Sequence, residues 1–173
     1  MPATLTKPTL TDFVLGPARR TLGYAEKLVA DIPADKFGHM PHPTMNHPAF
    51  CMGHLSLYPN RLFTLIGQPN KISEKKGWPE LFQSGVACVE DDGRYPKKDE
   101  IVAFYVERYN AIIKTLETTS EEMYARENPM EGRMKEVFPF IGLAINFMLN
   151  NHAMMHLGQV SAWRRAMGLP GVM

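Results

Sequence analysis

The chain has 173 residues, 45% of them hydrophobic and 21% charged, with a formal net charge of +1 at pH 7. That is apolar material for one core of ordinary size, and residues 1–173 are read as a single domain. The near-zero charge gives no electrostatic draw toward nucleic acid, no apolar stretch has the length of a membrane span, and two cysteines, Cys51 and Cys88, make no disulfide framework.

The opening segment, MPATLTKPTLTDF, has no basic stretch followed by an apolar run. No signal peptide is expected, and the chain is read as cytoplasmic. Strand signals are weak, and helical spacing is strong in four places. The first helix is expected over residues ~11–31, with Thr11 and Asp12 as caps and Pro17 as a kink or the true start. A loop rich in proline and glycine follows, carrying His39 and His42. The second helix is expected over ~47–66, capped by Asn46 or His47, with Pro48 in its first turn. Phe50, His54, Leu57, Arg61 and Leu65 share one stripe, and Pro59 should bend the helix or end its regular part.

Residues ~67–96 then form a connection too long for a tight antiparallel link. A crossover that starts the next helix parallel to the last would use that length. The third helix is expected over ~97–117, with Ile101, Tyr105, Tyr109, Ile112 and Leu116 inward and Asp99 and Glu100 in its first turn. Residues 118–138 are polar, with one short helical turn expected from Ser120. The fourth helix is expected over ~139–167, stopped by Gly168 and Pro170. Four long amphipathic helices argue an all-α four-helix bundle.

The fourth helix carries the chemistry. Ile141, Ile145, Met148, His152, His156, Gln159 and Trp163 form its expected inward stripe, so two histidines lie one turn apart on the core face. A buried imidazole needs partners for both ring nitrogens, and a metal ion gives the two rings a shared one. The pair has the spacing of helical HxxxH ligands, but Ala153 stands where a zincin has its glutamate base, so that mechanism is excluded. His54, on the core stripe of the second helix, is the best third ligand. His39, His42 and His47 are read as exposed loop histidines, His47 with the least force because it lies seven residues before His54.

Cys51 is read as a small buried hydrophobe, with a fourth-ligand or redox role as the alternatives. Gln159 shares the histidine stripe and is the candidate to support the ligands from behind. Asn150 and Asn151 are read as surface or internal polarity. Arg164 and Arg165 are read as cations complementing the end of the fourth helix. Haem and di-iron sites are not expected: there is no CxxCH, and no Glu-x-x-His pair falls in the core.

The segments GHLSLY and NHAMMHLGQVSAWRRAMGLP together resemble the DinB-like superfamily. The matching positions are Gly53-His54-Leu55, then His152, His156, Gly158 and Gln159, then Gly168-Leu169-Pro170. The resemblance implies a four-helix bundle in up-down-down-up order. It implies a divalent metal, nickel or zinc, held by His54, His152 and His156. Phe50 stands near where members often have tryptophan, which is read as a change in packing. The resemblance also implies a small-molecule substrate and a homodimer. The activity it suggests is transfer or hydrolysis using a low-molecular-weight thiol of the bacillithiol or mycothiol kind. A non-catalytic metal-binding or stress-related helical dimer is the alternative.

Overall fold

The computed structural model describes residues 7–172. The N-terminal stretch read for a leader lies partly outside them. The described residues are all-helical, with no strand and one isolated antiparallel bridge, Glu127 to Phe140. None of their helices is long and apolar enough to cross a membrane.

Helix α1 spans Leu10–Ala30. Its cap is Thr9, two residues before the expected Thr11, with the expected Asp12 as its partner: the Thr9 hydroxyl accepts the Asp12 N–H at 3.1 Å, and the Asp12 carboxylate accepts the Thr9 N–H at 2.8 Å. This reciprocal box satisfies two donors that a helix start leaves open. The helix runs through Pro17.

The second expected helix is two. Helix α2 spans Pro48–Ser56 and α3 spans Tyr58–Leu65. Pro59 has no N–H for the helical ladder, and its ring crowds the preceding turn, so the chain breaks at Leu57. Beyond the break Tyr58, Pro59, Leu62, Phe63 and Leu65 are buried; Leu65 keeps its expected place, but Leu57 is half-buried and Arg61 exposed, so the single stripe drawn through all of them does not hold. All nine residues of α2 are buried, as expected of a helix that is apolar on every face.

The long connection is not structureless. It contains α4, Trp78–Phe82, and buries Trp78, Phe82 and Tyr95. The Asn60 side chain ties it down, donating to the Ser73 carbonyl at 2.6 Å and accepting the Ser73 N–H at 3.3 Å. Helix α5 follows at Lys98–Glu117, then α6 at Glu121–Tyr124, α7 at Arg133–Val137 and α8 at Ile141–Asn146. Helix α8 continues through a π-type segment, Phe147–His152, into α9, Ala153–Ala166. Helix α2 packs on α4, α5 and α9, and α1 packs on α5, α9 and the π segment. The buried side chains form one continuous core.

Candidate metal centre

His54 stands on α2 with only 6% of its surface exposed. The residue before it explains how that position is built. A Cβ on Gly53 would stand 2.4 Å from the Phe82 ring, so only glycine lets α4 lie this close. The closeness brings the Phe82 carbonyl, at the open end of α4, to 2.6 Å from His54 Nδ1. A carbonyl only accepts, so Nδ1 carries the proton and Nε2 of the neutral ring presents its lone pair.

His152 and His156 come from the fourth helix, but not from the centre of its core stripe. The buried positions of α9 are Ala153, Leu157, Val160, Trp163 and Arg164, while His152, His156 and Gln159 are half-buried. The expected inward set has slipped by one residue. The π segment is the reason. Its wider turn takes up one extra residue, so everything after it is turned by about 100° relative to an uninterrupted α-helix. The histidines are thereby carried from the core face to its edge.

There the three rings converge. His152 Nε2 lies 3.4 Å from His54 Nε2 and 3.1 Å from His156 Nε2. One ligand atom from each residue falls within 4.8 Å of the others. Nitrogens about 2.0–2.1 Å from a tetrahedral ion stand about 3.3 Å apart, so the spacing fits one shared ion. Contact between the rings does not satisfy them: Nδ1 of His152 and of His156 are buried without a protein hydrogen-bond partner.

The electrostatics favour neutral imidazoles. Burial is the main cause for all three, and it holds His54 below the usual histidine range, His152 down at about 3 and His156 at about 4. The neighbouring histidines and the Arg61 guanidinium push His152 the same way. No described carboxylate contributes at any of the three. Neutral rings need lose no proton before binding a cation.

Tyr58 walls the centre, its ring 4.2 Å from that of His152 and 5.0 Å from that of His54. Arg61 lies over the Tyr58 ring at 4.8 Å. Arg61 was read only as a member of the second helix's stripe and Tyr58 was given no role, because the break at Leu57 decides where they point. Phe50 stacks on His54 at 6.0 Å, in the position read as altered packing.

Gln159 sits beside the centre. Its carbonyl oxygen accepts from Asn46 at 3.0 Å and from the Cys51 thiol at 3.6 Å. Cys51 is fully buried, burial pushes its thiol well up, and its sulfur is not in the converging group. Asn150 is internal, donating to the Val14 carbonyl and to Asn146, while Asn151 is exposed. Arg164 faces inward and clamps the C-terminal turn to α1 through Asp31, Leu28 and Pro170.

His39 and His42 stay in their loop, His39 paired with Glu90 at 2.8 Å. His47 corrects the expectation of an exposed histidine. It is fully buried and caps α2, with Nδ1 accepting the Phe50 N–H at 3.1 Å and Nε2 donating to the Val89 carbonyl at 2.9 Å. It is not one of the converging ligand group.

The sequence model of the DinB superfamily matches residues 18–160. No curated protein matches the chain. The matched span runs from the first helix through the histidine-bearing turn of the last, and the chain belongs to the DinB superfamily.

Proposed function

We propose that the chain binds one divalent metal, nickel or zinc, through His54, His152 and His156. We further propose that it works as a metal-dependent transferase or hydrolase using a low-molecular-weight thiol. The observation that carries this reading is the convergence of three neutral imidazoles, one with its lone pair fixed by the Phe82 carbonyl. Three such ligands leave coordination positions open, and the ion supplies a Lewis acid that acidifies whatever water or thiol reaches it. The protein's own part is to hold the rings neutral and oriented and to wall the centre with Tyr58. The contacts of α1 with α5 and α9, and of α2 with the same two, support a four-helix bundle. We assign it the up-down-down-up order, with the connection from 67 to 96 as its crossover.

A second reading is a metal protein that holds the ion at the same three histidines without turnover. A cytoplasmic homodimer completes the proposal. Leu10, Phe13, Phe140 and Leu143 leave an exposed apolar groove of about 400 Å³ that supports association.

The test is metal analysis of protein purified without tag or chelator, beside His54→Ala, His152→Ala and His156→Ala. One metal per chain in wild type, lost in each variant, is the expected result. Metal-free wild type that also refuses added zinc and nickel would overturn the metal reading. Thiol-dependent turnover with an electrophilic substrate then separates the enzyme from the silent metal protein.

A further inference from the structure

The metal reading has an electrostatic consequence. Three neutral imidazoles do nothing to offset the charge of a divalent ion, and no acidic side chain belongs to the converging group. The charge set against the wall of the centre is a further cation. Arg61 lies one aromatic ring away from the histidines, its guanidinium 4.8 Å over Tyr58, which in turn packs on His152 and His54. Arg61 is exposed, and no described carboxylate lies within ion-pair distance of it.

Arg61 also lines a cleft of about 170 Å³ with Asn60, Lys75 and Gln83. Glu74 lines the same cleft without pairing to it. Lys75 is engaged with Glu100 at 3.3 Å, so Arg61 is the cation in that cleft with no partner of its own.

Resting on the metal reading, we infer that the substrate is an anion with two points of attachment: a thiol that reaches the three-histidine centre, and a carboxylate or similar group that Arg61 holds beside Tyr58. Held over the Tyr58 ring with no described carboxylate paired to it, the guanidinium has N–H groups left for a two-pronged grip on a carboxylate. A site already rich in positive charge selects anions from solution by the same field. Arg61 is thus a specificity-determining residue, set apart from the ligands.

The experiment uses protein loaded with cobalt(II), whose visible spectrum reports what enters the metal's surroundings. γ-Mercaptobutyrate is titrated against mercaptobutanol of the same chain length, into wild type, Arg61→Met and Arg61→Lys. Wild type is expected to bind the carboxylate form about fivefold more tightly, the size of one partly exposed ion pair. The preference should shrink with added salt. Arg61→Met should lose the preference while binding mercaptobutanol as before, and Arg61→Lys should keep part of it. An equal ratio in Arg61→Met, or no preference in wild type, overturns this inference and leaves the metal reading standing. A wild type that takes up no cobalt overturns both.

Discussion

Replacing Gly53 by alanine tests how the centre is assembled. The new Cβ would stand 2.4 Å from one carbon of the Phe82 ring and 2.5 Å from two more. Ordinary carbon contacts lie at about 3.5–4.0 Å, so something must move by about 1 Å. The ring has nowhere to go. Phe82 is fully buried, with Trp78 at 5.2 Å, Tyr95 at 5.7 Å and Phe50 at 6.4 Å. Overpacking of this kind costs about 1–3 kcal/mol, and alanine in place of glycine inside a helix returns about 1 kcal/mol. The net loss is then up to about 2 kcal/mol, or about 2–4 °C in Tm per kcal/mol at this chain length.

The larger effect falls on the site. If α4 retreats, its Phe82 carbonyl leaves His54 Nδ1, and losing such an orienting partner weakens metal binding about 10–100-fold. Gly158, beside His156, is the control. A Cβ there meets nothing within 4 Å, and the residue is exposed and helical, so Gly158→Ala should gain about 0.5–1 kcal/mol. Urea unfolding of the metal-free proteins and a cobalt titration read both effects. The reasoning fails if Gly53→Ala gains stability as Gly158→Ala does and binds cobalt as tightly as wild type.

Acid should destabilise the metal-free protein through its histidines. The unfolded chain protonates them near pH 6.5, the folded chain only near about 4 for His156 and about 3 for His152. Between those values the unfolded state holds more protons, so stability falls as pH drops from about 6.5 and levels off below about 3. The slope over that window should flatten in a His152→Asn, His156→Asn double variant, compared with wild type by urea midpoints at each pH. Arg164 and Asp31 should respond unequally. Arg164 is 1% exposed and holds the Leu28 and Pro170 carbonyls as well as Asp31. Its replacement by methionine strands those acceptors and should cost about 2–3 kcal/mol. Asp31 has a half-exposed side chain, and Asp31→Asn should cost under about 1 kcal/mol. Equal losses would mean that the ion pair, and not the carbonyl clamp, carries the contribution.

Periodicity located the helices because their apolar faces are what the core demands, and α1, α5 and the fourth helix lie within a few residues of expectation. Periodicity alone could not show the break at Leu57. Pro59 signalled a bend, but whether a proline bends, ends or splits a helix depends on what packs against it. His47 was misjudged for a related reason. Its burial comes from Val89 and Tyr95, which reach it from the far end of the long connection. The three converging histidines were legible because their spacing and setting on apolar helices are local. The Phe82 carbonyl was not, since backbone groups leave no mark in a sequence until the fold says which are near. The register slip in the fourth helix did leave a mark. Ile141, Ile145, Leu149, Ala153 and Leu157 recur every four residues, and a spacing of four drifts by about 40° per step in an ideal α-helix. A wider turn is one way to absorb that drift.

The slip has a consequence that two neighbouring residues can decide. Were the fourth helix α-helical throughout, His156 would face the core and Leu157 its flank. With the π segment the order is reversed: Leu157 is fully buried and His156 half-buried, with one ring nitrogen unsatisfied. Leu157→Ala should therefore open a cavity and cost about 2–5 kcal/mol. His156→Ala removes a ring that lies at the core's edge and is poorly satisfied there, so the metal-free protein should change by no more than about 1 kcal/mol in either direction. Urea unfolding in the presence of a chelator separates the two. Comparable losses in both variants would put His156 back on the core face and remove the π segment as the device that brings the histidines to solvent. A small loss for His156 alone would mean that its contribution lies in binding and not in folding. A ring that contributes little to its own helix, yet is held neutral one turn from another like it, has the properties of a ligand.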